Sequence, residues 1–252
     1  NGAHYVREGW DAEIITKNIN NSSFKWNTTI TLSRYNLIWK ERMPNYDYQP
    51  YQVREDEPVN AYYYYNVTGI INLDKSNMPE SQRTLPADAQ LPGYPIIEDK
   101  NNDNVITIDD IYMGNSVPDL NFGFGNTFQY KNFDLDVFMY GRLGVEKYNY
   151  AYAWALPADL AELNPANSND FAYTIWNSQT NPNGSRPGIA SQKTVTLPGN
   201  AGTNMDIQNA SFARIRNITL GYNFNESNLG KLQEFISNIR LYVDFQNPFI
   251  IT

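Results

Sequence analysis

The sequence predicts an all-β fold, namely a segment of an antiparallel transmembrane β-barrel with long extracellular loops. Three observations support this: polar and apolar residues alternate along several segments, the best segments are long, and aromatic residues crowd their ends. Alternation with period two gives a strand one apolar and one polar face. Length discriminates because an ordinary strand has about 5 to 6 residues, whereas a tilted transmembrane strand needs about 9 to 11.

The clearest segments are 120–130 and 133–143, which Lys131 and Asn132 join as a short turn. In the first segment, the even positions are apolar or aromatic except Asn126, and the odd positions are polar or glycine. The second has an apolar face of Phe133, Leu135, Val137, Met139 and Leu143 and a polar face of Asp134, Asp136, Tyr140 and Arg142. The two segments predict a β-hairpin with one apolar and one hydrated face.

The same alternation recurs at 24–33, 217–224 and 239–246, and more weakly at 10–15 and 61–71. The alternative to a membrane barrel is a water-soluble antiparallel sandwich whose apolar faces meet in a core. Aromatic residues at the strand ends are typical of the interfacial girdles of membrane barrels, and they favour the barrel.

Composition excludes several classes of protein. Aromatic residues make up 14% of the chain and charged residues 18%, and the mean hydropathy of −0.56 excludes a bundle of membrane helices. Cysteine is absent, so there is no disulfide framework and no zinc-thiolate site. A net charge of −8 without any basic stripe argues against binding to nucleic acid.

The termini and loops indicate part of a larger barrel. The chain starts at Asn1 without an initiator methionine or export signal, so we expect it to be a portion of a longer polypeptide. Long segments rich in Pro, Asn, Gly and Ser occur at 44–57, 78–95 and 148–205. Long loops on one side and short turns on the other are typical of an outer-membrane barrel.

An acidic loop at 99–110 has the spacing of a calcium-binding loop. Its candidate ligands are Asp99, Asn101, Asp103, the carbonyl of Val105, Thr107 and Asp110, at positions 1, 3, 5, 7, 9 and 12. Position 6 normally requires glycine for a left-handed turn, and here Asn104 is one of the few other residues that tolerate it. The alternative is a loop held by Asx turns without metal.

These motifs together resemble the barrel of SusC/RagA-type TonB-dependent transporters of Bacteroidetes. The stretch IIEDKNNDNVITIDDIYMGNSVPDLNFGFGNTFQYKNFDLDVFMYGRLG follows that family's order of an acidic DxNxDGxIxxxD loop, a YGF strand and a YKxFDL strand. ASFARIRNITLGYNF resembles SFxRLKNxTLGYxF, and NIRLYVDFQNPF resembles LRVYVxGQNLF. Asn104 for glycine and Pro248 for leucine depart from the pattern.

The resemblance implies that residues 1–252 are the carboxy-terminal portion of a barrel of about 22 strands, without the plug domain and the final strand. It implies a location in the bacterial outer membrane, in contact with lipid. The implied partners are a SusD-like surface lipoprotein and TonB, which acts through the missing plug, in a dimer of transporter–lipoprotein pairs. The implied function is import of oligosaccharides.

Cargo contacts follow from the same resemblance. The candidates are the rings of Tyr148, Tyr150, Tyr152, Trp154 and Trp176, because flat rings stack on sugars. Packing within a girdle or loop is the alternative role for any one of them. Oligopeptide cargo stays open as well, and so does a secreted, calcium-stabilised β-sandwich that binds glycans.

No enzymatic role is predicted. Asp134 and Asp136 would lie about 7 Å apart along a strand, within the range for inverting glycosidases, but no second sheet frames a cleft beside them. His4 is the only histidine, and it has no assignable serine partner. We therefore expect no catalytic residues and no catalytic cofactor.

Overall fold

A computed structural model describes residues 2–44, 46–53, 57–148, 174–188 and 197–252 of the 252-residue chain. The strands are β1 (His4–Asn20), β2 (Phe24–Glu41), β3 (Ala61–Tyr65), β4 (Val67–Ile70), β5 (Pro95–Ile97), β6 (Tyr112–Asn115), β7 (Leu120–Tyr130), β8 (Phe133–Leu143), β9 (Glu146–Tyr148), β10 (Gly202–Thr203), β11 (Ile207–Asn209), β12 (Phe212–Asn225) and β13 (Asn238–Ile251). A short α-helix spans Glu226–Leu229. Short 3-10 turns span Pro50–Gln52, Ser81–Thr84, Ala87–Gln90, Ile108–Asp110, Pro198–Asn200, Asn204–Asp206 and Gly230–Glu234.

The chain divides into two compact units. The loop unit comprises residues 1–5, 38–116 and 147–208, and the wall unit comprises residues 6–37, 117–146 and 209–252. Within the described ranges, no helix has both the length and the apolar character needed to span a bilayer.

The wall unit is built on a six-stranded sheet in the order β1-β2-β7-β8-β12-β13. The pairs β2–β7, β7–β8, β8–β12 and β12–β13 are all antiparallel. All five clear strands of the sequence are confirmed, and the weaker segment 10–15 lies inside β1. β1 and β13 are the two edges of this sheet, so the described strands form an open segment rather than a closed cylinder.

The register places the alternating side chains on two continuous faces. Phe128 lies opposite Trp26 on one neighbouring strand and opposite Leu135 on the other, and Leu135 lies opposite Leu220. The residues between them, such as Thr127, Asp136 and Asn27, share the opposite face. Because successive side chains of a strand point to opposite sides, this register gives one apolar and one hydrated face.

Side chains on the apolar face of the sheet are exposed within the wall unit. Leu220 is 50% exposed and Leu241 is 61% exposed. None of the residues of this face belongs to the buried hydrophobic cluster of the described chain, whose members come from the loop unit. A water-soluble sandwich requires a second layer on this face, and the described residues of the wall unit supply none.

The two ends of the sheet carry connections of different length. At one end, Asn21 Oδ1 accepts hydrogen bonds from the N–H groups of Ser23 (3.0 Å) and Phe24 (2.7 Å) and so closes the β1–β2 turn. At the same end, Tyr130 pairs with Phe133 across a two-residue turn in which Lys131 adopts φ 51°. The opposite strand ends lead into 42–119 and 144–211, which agrees with the predicted asymmetry.

The last two strands contain an irregularity at one level. The pairing of β12 shifts between Ile215 and Asn217 towards both β8 and β13. On β13, Asn247 adopts φ 50° immediately before Pro248, which has no N–H to give to a ladder. A bulge accommodates both features because it leaves the extra residue unpaired.

The loop unit has a hydrophobic core of its own. Its largest fully buried residues include Tyr65, Ile71, Ile97 and Ile111. The weaker predicted strand 61–71 is here, as β3 and β4, which belong to two separate small sheets rather than to the wall. The aromatic run Tyr62–Tyr65 does form a strand. Tyr65, however, packs in the core of the loop unit and not against lipid.

A buried amide organises the turns of the predicted loop 78–95. Gln82 Nε2 donates to the carbonyls of Ala89 (2.8 Å) and Pro95 (3.2 Å), and its Oε1 accepts from the N–H of Ile97 (2.9 Å). The side chain is fully buried, so these three bonds satisfy groups that would otherwise be costly to bury. The segment is therefore a folded part of the unit.

Candidate functional site

The hydrated face of the wall carries a hydrogen-bonded row of polar side chains. Asp134 Oδ1 accepts from Asn223 Nδ2 (2.8 Å) and Arg240 Nε (3.2 Å), which join β8, β12 and β13. On the next level, Thr219 donates to Asp244 Oδ1 (2.6 Å), and Asn217 Nδ2 donates to Asp136 Oδ1 (3.1 Å). These carboxylates therefore join neighbouring strands through side-chain hydrogen bonds.

The same face also carries aromatic rings, of which the alternation had identified only Tyr140. Phe138 stacks on Tyr140 with centroids 6.4 Å apart, and Tyr140 meets Phe212 edge to face at 5.6 Å. Gly123 and Gly125 of β7 lie beside Phe138 and leave room for its ring. The hydrated face is therefore polar towards the short turns and partly aromatic further along the strands.

The acidic loop has the backbone shape that its sequence predicted. Asn102 and Asn104 adopt φ values of 60° and 64°, so asparagine does take the left-handed conformation at the position usually held by glycine. Asp99 accepts from the N–H groups of Asp103 (3.2 Å) and Asn104 (2.7 Å), and Asp103 accepts from Val105 N–H (2.8 Å). These contacts wrap the chain around the first three candidate ligands.

Asp110 closes the loop from inside the unit. It is fully buried, its Oδ1 accepts from Lys100 N–H (2.9 Å), and its Oδ2 accepts from Thr107 N–H (2.8 Å). Tyr65 donates from its hydroxyl to the Thr107 carbonyl (2.8 Å), and burial raises the pKa of this phenol above its ordinary value. The hydrogen bonds thus fix both ends of the loop to the core.

The donor set fits a hard cation only in part. Each carboxylate oxygen that accepts one N–H keeps a second lone pair, and carboxylate, amide and carbonyl oxygens are the ligands that calcium prefers. Within the described part of the chain, however, no group of three or more His, Cys, Asp or Glu residues is arranged to hold a metal ion. The calcium site at Asp99, Asn101, Asp103, Val105, Thr107 and Asp110 stays a prediction.

A cleft in the loop unit contains one of the predicted cargo contacts. We call it the Trp176 cleft; it has a volume of about 660 Å³ and is lined by Val67, Thr68, Gly69, Ile70, Asn72, Asn77, Trp176, Pro182, Asn183, Gly184, Ser185, Asn204 and Met205. Its volume lies within the range of roughly 300 to 1,000 Å³ that is usual for ligand sites. None of the described residues that line it is charged.

Local structure holds Trp176 firmly in this cleft. The backbone N–H of Trp176 donates to the Arg186 carbonyl (2.8 Å). A β-carbon on Gly184 would lie 2.4 Å from the backbone nitrogen of Trp176. Its ring packs against Gly93, which adopts φ 86°. Glycine is required at both positions, at Gly93 by the left-handed backbone and at Gly184 by the close approach of two backbones.

The other predicted cargo contacts have different outcomes. Tyr148 ends β9 and is exposed, and it does not line the Trp176 cleft. Tyr150, Tyr152 and Trp154 lie outside the described residues. The sequence missed the asparagines and Gly93, although the Pro92–Gly93 dipeptide is a turn signal that could have marked this position.

No protein-family model matches the chain. Among curated proteins, TonB-dependent receptor P3 of Formosa agariphila is 29% identical over 261 residues, which cover 97% of this chain and 24% of that protein. TonB-dependent receptor SusC of Bacteroides thetaiotaomicron is 33% identical over 156 residues, which cover 61% of this chain and 14% of that protein. The chain thus spans about a quarter of the length of the Formosa relative.

Solved structures share the fold along the whole chain. The RagAB peptide transporter matches all of this chain and 26% of its own with a TM-score of 0.68 at 17% identity. The RagAB peptide importer in its closed-closed state matches all of this chain with a TM-score of 0.65 at 14% identity. Identities of this size indicate a common fold only.

Proposed function

We propose that this chain, which belongs by sequence and by fold with the TonB-dependent receptors of the SusC/RagA type, forms part of the barrel wall of an outer-membrane nutrient importer. The observation that carries the proposal is the six-stranded sheet with one exposed apolar face and one hydrated face. Such a sheet suits hydrocarbon on one side and water on the other. The relatives are named as receptors and transporters, in agreement with the prediction that the chain is not an enzyme.

The proposal places residues 1–252 in the carboxy-terminal portion of a barrel of about 22 strands. The edges of β1 and β13 would pair with strands supplied elsewhere in the same polypeptide, because lipid cannot satisfy the N–H and C=O groups of an open edge. The plug domain and the contact with TonB would lie in that remaining polypeptide. The long connections that follow β2 and β8 would face the outside of the cell.

For the transport cycle, we propose that cargo is captured between a SusD-like surface lipoprotein and the barrel. TonB then pulls on the plug and opens a path along the hydrated face. This chain supplies the wall and the outer connections, and it does not supply the energised part. We propose oligosaccharide cargo; the second candidate is peptide cargo, because the structurally similar RagAB proteins are a peptide transporter or importer.

The test is uptake by cells that carry the full-length transporter. We expect cells to accumulate a labelled oligosaccharide cargo in a TonB-dependent way, and to lose accumulation when the transporter gene or the tonB gene is deleted. Restoring the transporter on a plasmid should restore uptake. Uptake that persists without TonB, or a transporter that is extracted from cells without detergent, would contradict the proposal.

We further propose that loop 99–110 binds calcium and is stabilised by it. Treating the full-length transporter with EDTA should speed amide hydrogen exchange in residues 99–110, and adding calcium chloride should reverse the change. Asp103→Ala should abolish the calcium response because it removes a central carboxylate. Asp88→Ala is the matched control, since Asp88 is an exposed acid in the nearby turn Ala87–Gln90. Identical exchange with EDTA and with calcium would leave the loop held by its own hydrogen bonds.

A further inference from the structure

The described residues of the Trp176 cleft give it polar walls without charge. The chain carries 46 charged side chains, 19 basic and 27 acidic, yet the described residues that line the cleft supply amides, hydroxyls, apolar groups and one indole. The nearby Arg186 is buried and donates from its guanidinium to the Met205 carbonyl (3.3 Å). A charged ligand would have to give up its hydration without gaining a charged partner here, which is costly.

Two of the side-chain amides in the cleft form hydrogen bonds with backbone groups of β4. Asn204 Oδ1 accepts from the N–H of Val67 (3.0 Å), and Asn77 Nδ2 donates to the carbonyl of Ile70 (2.8 Å). An extended peptide that adds to a sheet edge needs such main-chain groups to be free. Because these two are already bonded, the edge of β4 is poorly suited to binding a peptide as an added strand.

Other polar groups of the cleft have no hydrogen-bond partner in the described chain. These are the indole N–H of Trp176, the side-chain amide of Asn183 and the hydroxyl of Ser185. The side-chain oxygen of Asn72 is shielded from solvent and also lacks a partner. Because solvent does not reach this Asn72 oxygen, a ligand hydroxyl of similar size does not reach it either.

The cleft is also preorganised. The turn that contains Asn183 is held by Gly184 N–H, which donates to the Asn181 carbonyl (3.1 Å). In the preceding turn, Asn177 Oδ1 accepts from the N–H groups of Gln179 (2.9 Å) and Thr180 (3.0 Å). Gly93 packs against the indole of Trp176. A rigid aromatic plane beside neutral donors and acceptors needs little reordering on binding.

From this arrangement we infer that the Trp176 cleft is a subsite for a neutral glycan unit, with Trp176 stacking on the sugar and Asn183 and Ser185 bonding its hydroxyls. A sugar ring offers a flat C–H face and neutral hydroxyls, which match the indole and the uncharged polar groups. Uronic acids, sulfated sugars and strand-adding peptides do not match this chemistry. The inference rests on the proposed import function and specifies its cargo class.

The experiment uses the full-length transporter purified in detergent. A panel of neutral oligosaccharides, including maltoheptaose and cellohexaose, is compared with oligogalacturonate, sulfated oligosaccharides and a peptide library. We expect binding within the neutral class. Trp176→Ala should weaken that binding by about tenfold or more, as truncation of an aromatic anchor commonly does. Trp176→Phe should retain most of it because the ring remains.

Two further variants distinguish a loss of the subsite from a general folding defect. Ser185→Arg changes an exposed residue at the rim and should also block neutral glycans by filling the cleft. Tyr46→Ala removes an exposed ring of the same unit that does not line the cleft, and binding should stay unchanged. Absence of neutral-glycan binding, preference for anionic glycans or peptides, or full binding by both Trp176→Ala and Ser185→Arg would overturn the inference.

The outcome is separable from that of the import proposal. If TonB-dependent uptake occurs and the cleft variants bind cargo normally, only the subsite is wrong. If neutral glycans bind and the cleft variants lose them, but no TonB-dependent uptake is found, the subsite stands and the import proposal fails.

Discussion

Replacing Arg42 with methionine is expected to destabilise the loop unit by about 3 to 5 kcal/mol, the usual cost of leaving a buried charge without its partner. Glu57 is only 3% exposed, and it is bonded by the guanidinium of Arg42 and the hydroxyl of Tyr63. Arg42 also donates to the Gln52 carbonyl (2.9 Å) and lies over the Trp39 ring at 5.0 Å. Methionine keeps some packing but removes the guanidinium donors to Glu57 and to the Gln52 carbonyl, so that the Tyr63 hydroxyl stays beside a buried carboxylate without its charged partner.

Hydrogen exchange of the full-length transporter, read on peptides that cover 57–65, measures this effect. Arg83→Met is the matched control because Arg83 pairs with Glu80 at 3.0 Å while the two side chains are 56% and 76% exposed. An exposed pair of this kind contributes about 0 to 1 kcal/mol. Equal exchange in the two variants would show that the buried pair is not a main support of the unit.

Replacing Leu220 with arginine is expected to destabilise the barrel by about 2 to 4 kcal/mol, the cost of a basic side chain on the lipid face near the bilayer midplane. Leu220 lies between Leu135 and Val243 on the apolar face. It is half exposed in the isolated sheet, so hydrocarbon is the environment that we propose for it. Arginine there must bend towards the interface or draw water into the lipid.

The measurement is the urea dependence of folding of the full-length transporter in lipid vesicles, followed by its heat-modifiable migration. Thr127→Arg is the control, because Thr127 is exposed on the hydrated face and lies opposite Asp136. Arginine at that position stays in water beside an acid and should change stability little. A larger loss in Thr127→Arg than in Leu220→Arg would mean that the two faces have been assigned the wrong way round.

Local patterns predicted the wall strands well. Alternation at 120–130 and 133–143 gave the hairpin, its two-residue turn and the side of each residue, because period two follows directly from strand geometry. The tolerance of asparagine for left-handed backbone likewise anticipated the conformation of Asn104. In both cases the cause lies within a few neighbouring residues, so the sequence alone was sufficient.

The same reasoning failed where a pattern had two explanations. The tyrosine run at 61–65 has the composition of a wall strand, yet it forms β3, which pairs with β6 and β10 in a separate small sheet. The segment 78–95 resembled an open loop, yet Gln82 bonds its turns to the core. The local sequence predicts neither outcome, because the strands and backbone groups that pair with these segments lie elsewhere in the chain.

What the sequence determined by itself was the class of structure: long strands with two unlike faces, an acidic loop and an order of motifs that resembles that of SusC/RagA-type TonB-dependent transporters. The tertiary structure decided which apolar residues of the wall unit stay exposed, how Arg42 and Glu57 are paired, and that Trp176 lines one cleft with amides from three separate segments. Backbone periodicity is a property of adjacent residues, whereas burial and convergence depend on contacts between residues up to 148 positions apart, such as Tyr51 and Gly199. Only the folded chain brings those groups together, and the proposed site exists only there.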